Sequence, residues 1–426
     1  MTTRVSNPQV EHRVGGWLPS NHRVLEQWID NLVQRIDNEN KQFKSVHPVI
    51  LEFKDLIEND AELYQGFHLM FEQVPKKPPY LNDPTLKPQI RDYKVMLHAF
   101  DIIIGTAPTY EDNSLVGFPI NAILDWPMGT EAGLKTFLNP KLNAMFKKMF
   151  DVWSNFLVSP DSREVLTQAP KGWFGPAATQ ALPNFVENFV CDPSAPYHGF
   201  ASWDDFFTRH FREGVRPVSF PDDDRIINSA CESTVYRIAH DVKLQDDFWL
   251  KGEPYSLENM LDKDPLAVQF VGGTVYQAFL SALKYHRWSS PVNGTVVKVT
   301  AIPGTYYAES PEMGFTNPKG PDSSGPNLSQ GYITSVAARA VIYIEAENPK
   351  IGLMAFVAVG MAEVSTCEAT VMAGDRIRKG DELGMFHFGG STHCLLFRPD
   401  TKVTFAPECN KTGSDVELNS PIATVQ

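Results

Sequence analysis

The run Gly352-Leu353-Met354-Ala355-Phe356-Val357-Ala358-Val359-Gly360 decides how the second half of the chain folds. It is apolar between two glycines, yet far shorter than the roughly 20 residues a bilayer span requires. It therefore predicts a strand and not a membrane helix. β-Branched or alternating runs of the same kind occur at Arg225 to Val242, Thr295 to Pro303, Ala340 to Ala346 and Cys367 to Met372, separated by Gly, Pro and Asn turns. In Gly374-Asp375-Arg376-Ile377-Arg378-Lys379-Gly380-Asp381-Glu382-Leu383-Gly384, glycines flank short strands, as the tight turns of a compact sandwich or barrel require. A second such unit begins at Pro291-Val292-Asn293-Gly294. From about Arg216 onward the chain is expected to be mostly β.

Upstream the period changes. Leu25, Trp28, Ile29, Leu32 and Ile36 recur at helical spacing behind the polar signal Pro19-Ser20-Asn21. The same pattern fits Val49 to Ile57, Ala61 to Phe71, Ile90 to Ile104 and Leu142 to Leu157, the last ended by Ser159-Pro160. The predicted class is α+β: a helical N-terminal domain over residues 1–190, then a mostly antiparallel β sandwich or barrel-like domain over 191–426. Thr316 to Gly331, rich in Pro, Gly, Ser and Asn, predicts a long surface loop, either a lid or a plain insertion.

Composition narrows the function. In 426 residues, 38 Lys plus Arg face 51 Asp plus Glu, giving a formal charge of −13. Without a basic cluster, neither nucleic acid nor an anionic membrane surface is an expected partner, and stable membrane insertion is not expected. The N-terminal residues carry charges and Pro where a signal peptide needs an apolar core, so a cytoplasmic protein is expected. Cys191, Cys231, Cys367, Cys394 and Cys409 have no CxxC spacing and predict reduced thiols. His12, His22, His47, His68 and His98 form no metal-ligand pattern, so no metal is expected.

The most unusual local sequence is Phe386-His387-Phe388-Gly389-Gly390-Ser391-Thr392-His393-Cys394. Gly-Gly-Ser at the end of a strand sets a hydroxyl beside a carbonyl unobstructed by any Cβ, so the Ser could attack its own preceding peptide bond. A plain glycine turn with an exposed Ser fits the segment as well. Tyr285-His286-Arg287-Trp288-Ser289-Ser290-Pro291-Val292-Asn293-Gly294 then offers a histidine just before a strand-forming turn.

With these two segments the chain resembles the phosphatidylserine decarboxylase family, whose members carry a YHRxHxPxxG segment and a late GST or GSS cleavage site. The likeness takes in Phe206-Phe207-Thr208-Arg209 with Arg216-Pro217, Lys251 to Leu257, Val359-Gly360, and Lys379-Gly380 through Ser391, all in the family's order. Cys231-Glu232 and Ser365-Thr366-Cys367-Glu368-Ala369-Thr370 resemble the soluble fungal branch, which includes tryptophan decarboxylases.

The resemblance implies a cofactor made from the chain itself. Ser391 would attack the carbonyl of Gly390 to give an ester, elimination would cut the chain, and residue 391 would end as a pyruvoyl group with loss of ammonia. The products would be 1–390 and a retained partner fragment, 391–426. Pyridoxal phosphate is not expected. His286, with an unperturbed pKa of about 6.5, is the expected base and proton donor. Glu232 stands where the family usually has an Asp that orients the histidine.

Ser289 replaces a second family histidine. His286 could serve both steps, His387 or His393 could take one over, or cleavage could fail and leave an inactive precursor. The expected substrate is a small molecule, a free aromatic L-amino acid with tryptophan favoured. Trp288, Phe386, His387, Phe388 and His393 are candidates for its pocket, and the aromatic ones are equally readable as core. The alternatives are a lipid decarboxylase acting on phosphatidylserine and an uncleaved non-catalytic relative.

Overall fold

The computed structural model describes residues 22–38, 46–74, 90–110, 119–246, 255–281, 283–308 and 329–426. The N-terminal 21 residues, 251–254 of one family segment and 316–328 of the expected surface loop lie outside the described residues.

The helical periodicity becomes α1 (His22–Asn38), α2 (Pro48–Asn59), α3 (Ala61–Glu72) and α4 (Tyr93–Ile103). Two further helices, α5 (Pro119–Met128) and α6 (Glu131–Phe137), precede α7 (Pro140–Leu157). Their starts follow from side-chain caps that satisfy otherwise orphaned N–H groups. Asp60 accepts from Glu62 and Leu63 N–H, and Asn139 accepts from Lys141 N–H ahead of Pro140. The apolar stripes meet in one core, where the Phe53 and Phe146 rings lie edge to face at 5.1 Å.

The second half builds β1 (Ile226–Asn228), β2 (Ser233–Ala239), β3 (Thr274–Leu280), β4 (Arg287–Ser289), β5 (Gly294–Ile302), β6 (Arg339–Ala346) and β7 (Leu353–Met361). These are followed by β8 (Cys367–Ala369), β9 (Arg376–Ile377), β10 (Glu382–Phe386), β11 (Gly390–Phe397), β12 (Val403–Phe405), β13 (Asp415–Val416) and β14 (Pro421–Val425). One eight-stranded sheet runs β13-β2-β3-β11-β7-β6-β5-β9, and three-stranded sheets run β1-β14-β12 and β4-β10-β8. Every strand pair is antiparallel. The fold is α+β, with a helical N-terminal region and a β-rich remainder.

Both faces of the large sheet are covered, which is why its middle strands are buried at every position. One face joins the helical core through Val357, Val359, Cys394 and Leu396, and Phe388 meets Trp153 of α7 edge to face at 5.2 Å. The other face, with Tyr276, Phe356, Ala358 and Leu395, packs on Trp288 and Phe386 of the small β4-β10-β8 sheet. Among the described residues, no helix is long and apolar enough to cross a membrane.

Candidate active site

Strand β11 sits near the middle of the large sheet, between β3 and β7, and Gly390 and Ser391 are its first two residues. Ser391 thus begins a strand and does not sit exposed on a turn. Its register partners are Leu280 and Gly360, and it is fully buried. Its hydroxyl makes no hydrogen bond. Since a buried hydroxyl is usually paired, an unpaired one beside two glycines is free to turn toward a neighbouring carbonyl.

The turn before it is fixed by Ser365. The Ser365 N–H donates to Phe388 O at 2.7 Å, and its hydroxyl lies 3.4 Å from the Gly390 carbonyl oxygen. Gly389 has φ +153°, and a Cβ there would stand 2.0 Å from Ser365 Oγ, so only glycine fits.

His286 is fully buried just ahead of β4, its ring stacked on Phe207 at 4.0 Å, and neither ring nitrogen makes a hydrogen bond. Phe207 also meets Phe388, at 5.7 Å, and Phe386 N–H donates to the His286 carbonyl at 2.9 Å. The His286 ring thus belongs to an aromatic cluster that includes Phe388, the residue just ahead of the Gly-Gly-Ser turn. Burial, with the charge of Arg209 second, holds the His286 pKa well below its ordinary value. The imidazole is neutral at pH 7 and open to a proton, while Arg209 disfavours keeping it. Arg209 is itself buried, donating to Phe206 O and Leu283 O and lying over the Phe189 ring.

Glu232 is placed differently. Its carboxylate takes a two-pronged ion pair from Arg216, at 2.8 and 3.0 Å, and accepts Leu418 N–H at 2.8 Å. No hydrogen bond joins it to His286. It ties the Arg216 segment to residues near the C-terminus.

His387 lies between two carboxylates, with Nδ1 3.0 Å from Asp204 and Nε2 2.8 Å from Glu368. Burial pulls its pKa down, but the hydrogen bonds and charges of Asp204, then of Glu368, outweigh this and lift it to about 9. A folded-state pKa above the unfolded value of about 6.5 gives stability that is fully present below pH 6.5 and disappears as the pH rises through 9. Accordingly, the melting temperature of the uncut chain should fall over this window, and His387→Gln should flatten that fall. An unchanged slope in the variant would remove His387 as its source.

His393 packs in the opposite core, 5.9 Å from Phe356 and 6.1 Å from Tyr276, and burial pushes its pKa down to about 3. Trp288 and Phe386, 4.8 Å apart, share that core, whereas Phe388 packs with Trp153 and Trp203 on the other face. These aromatic rings are not brought together around one cavity. Among the described residues, no group of three or more His, Cys, Asp or Glu converges as metal ligands.

Comparison with known proteins adds the family. Residues 47–182 and 203–424 each match a phosphatidylserine decarboxylase family profile. An L-tryptophan decarboxylase of Psilocybe cyanescens is 39% identical, covering 100% of this chain and 97% of that protein. Decarboxylase iboD of Amanita muscaria is 47% identical over 72% of this chain and 91% of its own length. Phosphatidylserine decarboxylase proenzyme 3 of Schizosaccharomyces pombe is 30% identical over 53% of this chain and 22% of its own.

Proposed function

The chain belongs to the phosphatidylserine decarboxylase family, and on that premise we propose that it is a pyruvoyl-dependent decarboxylase of a free aromatic L-amino acid, tryptophan first, that cuts itself between Gly390 and Ser391. The observation that carries this reading is the Ser391 hydroxyl, fully buried, unpaired, and directly after two glycines in a central strand. The name proenzyme borne by the Schizosaccharomyces relative supports processing, and the full-length likeness to an L-tryptophan decarboxylase supports the substrate. Its free thiols suit a reducing, cytoplasmic compartment.

The residues fit the group. Ser391 is its source, and the burial that surrounds it excludes the water that would compete with the reaction. A pyruvoyl group at this position supplies the electron sink for loss of a carboxylate from an amine-bearing substrate. His286 accepts the Ser391 hydroxyl proton during cleavage, and the adjacent Arg209 charge drives it to pass that proton on. Asp204 and Glu368 keep His387 cationic beside the turn and take both of its N–H groups, so it joins the two acidic segments and has no donor left for a substrate. Glu232, engaged by Arg216, secures the segment around Leu418.

Cleavage leaves the sheet paired. Fragment 391–426 supplies β11 between β3 and β7, β13 beside β2 and β14 beside β1, so the pieces remain joined by strand pairing and two buried faces. They should copurify under native conditions and separate only on denaturation.

The purified protein should release carbon dioxide from tryptophan and form the corresponding amine, with phenylalanine and tyrosine poorer. Phosphatidylserine vesicles and non-aromatic amino acids are the comparison arms. Turnover of the lipid alone, or of a non-aromatic amino acid in preference, would contradict the substrate assignment.

A further inference from the structure

Strand β7 ends in a strap, Ala362-Glu363-Val364-Ser365, that is separate from the nucleophile Ser391 and the base His286. Ala362, Glu363 and Ser365 have φ of +56°, +43° and +39°. Positive φ is uncommon for residues that carry a Cβ, and such departures cluster where the surroundings over-determine them for function.

The strap is held from two sides. On the helical side, a carboxyl oxygen of the buried Glu363 accepts Asn121 N–H of α5 at 2.9 Å, and Glu363 N–H donates to the Tyr307 hydroxyl at 3.0 Å. Ala362 N–H donates to Tyr306 O at 2.9 Å. On the sheet side, Ser365 clasps Phe388 O through its N–H, and its side chain fills the space left open by glycine at 389. Gly360 has the same requirement, since a Cβ there would stand 2.3 Å from Ser365 O.

Resting on the proposed Gly390–Ser391 cut, we propose that the Ser365 hydroxyl is a catalytic residue of self-cleavage: it donates a hydrogen bond to the Gly390 carbonyl oxygen as negative charge develops there. The hydroxyl has one proton and three neighbouring acceptors: Met361 O at 2.6 Å, Ala362 O, and Gly390 O at 3.4 Å. All three are neutral carbonyls in the resting chain. When Ser391 Oγ bonds to the Gly390 carbon, that carbonyl alone becomes an oxyanion. A charge-assisted hydrogen bond is shorter and roughly twice as strong as a neutral one, so the proton turns to it.

The step balances within the chain. The bond from Ser391 Oγ to the Gly390 carbon forms and the peptide C–N bond breaks. The hydroxyl proton passes through His286 to the departing nitrogen, and Ser365 keeps its own proton throughout. The helical half thereby has a part in the reaction, since α5 holds the strap that aims the donor.

The test follows fragment formation over time in freshly made precursor, by denaturing mass spectrometry. Ser365→Ala should slow cleavage by about 10²- to 10³-fold, the effect of losing one donor to a developing oxyanion. Ser365→Gly, which removes the hydroxyl while accommodating the positive φ, should be slowed comparably. Cleavage of either variant within a few-fold of the wild-type rate would overturn the proposal. To separate chemistry from folding, each change is also melted in the uncut Ser391→Ala chain, where it should leave the transition near that of Ser391→Ala alone. Loss of the folding transition would assign Ser365 to structure and equally overturn it. A wild-type chain that never cuts would instead remove the reaction itself, and a wild-type chain that cuts beside fast-cutting variants would refute only the donor.

Discussion

Ser391→Ala should yield a single uncut chain that releases no carbon dioxide from any amino acid. No other change is expected to have so large an effect, because it removes both the nucleophile for cutting the chain and the atom from which the reactive ketone derives. Folding should survive the substitution. The Ser391 hydroxyl makes no hydrogen bond in its buried position, and deleting an unpaired buried hydroxyl leaves no partner stranded. Denaturing mass spectrometry, amine formation and a melting curve separate these effects. The same two fragments in the variant would show that another residue makes the cut. A collapsed melting curve would show that the hydroxyl has a structural partner.

His286→Phe should stop cleavage nearly as completely. The change keeps an aromatic ring against Phe207, where the imidazole stacks at 4.0 Å, and removes both nitrogens. Since neither nitrogen is hydrogen-bonded and the site is fully buried, an apolar ring should be at least as stable there as the imidazole. Loss of a positioned general base is worth about 10²- to 10⁴-fold in rate, so the uncut chain should persist long after the wild type has been processed. Residual slow cutting is consistent with this, because the oxyanion donor and the turn geometry remain. Cutting at the wild-type rate would assign the base elsewhere. His393 alternates onto the same face of β11 as Ser391, and burial pulls its pKa down to about 3; His393→Phe, expected to cut at the wild-type rate, is therefore the companion variant.

The parts of the fold that were legible in sequence are those with a clean period. α1 to α4 and α7 follow apolar residues at helical spacing, and β5 to β8 follow β-branched or apolar runs bounded by turns. α5 was not legible because Pro119–Met128 is largely apolar and contains Pro127, which breaks a helical pattern on inspection. β3 and β11 escaped for another reason: both are covered on two faces, so their residues do not alternate, and, unlike β7, polar residues such as Gln277 and His393 interrupt their apolar runs. That is also why Ser391 was expected at the end of a strand, when it lies at the start of one.

In the site, Ser391 and His286 were legible through motif order. Partnerships across the chain were not. His387 meets Asp204, 183 positions away, and nothing local in either segment announces it. Glu232 was expected at a histidine, yet Arg216, itself part of the recognised Arg216-Pro217 segment, takes its carboxylate. Ser365 had only a weak signal, its place at the head of Ser365 to Thr370. Its significance depends on a strap whose shape is set by contacts with α5 and the cleavage turn.

Mass spectrometry of the wild-type protein under denaturing conditions, as purified and without added cofactor, tests the central claim most directly. Two chains are predicted: 1–390 ending in a normal carboxylate, and 391–426 blocked at its first residue by a ketone that hydroxylamine or borohydride modifies. An intact chain of 426 residues that nevertheless decarboxylates an amino acid would contradict the account.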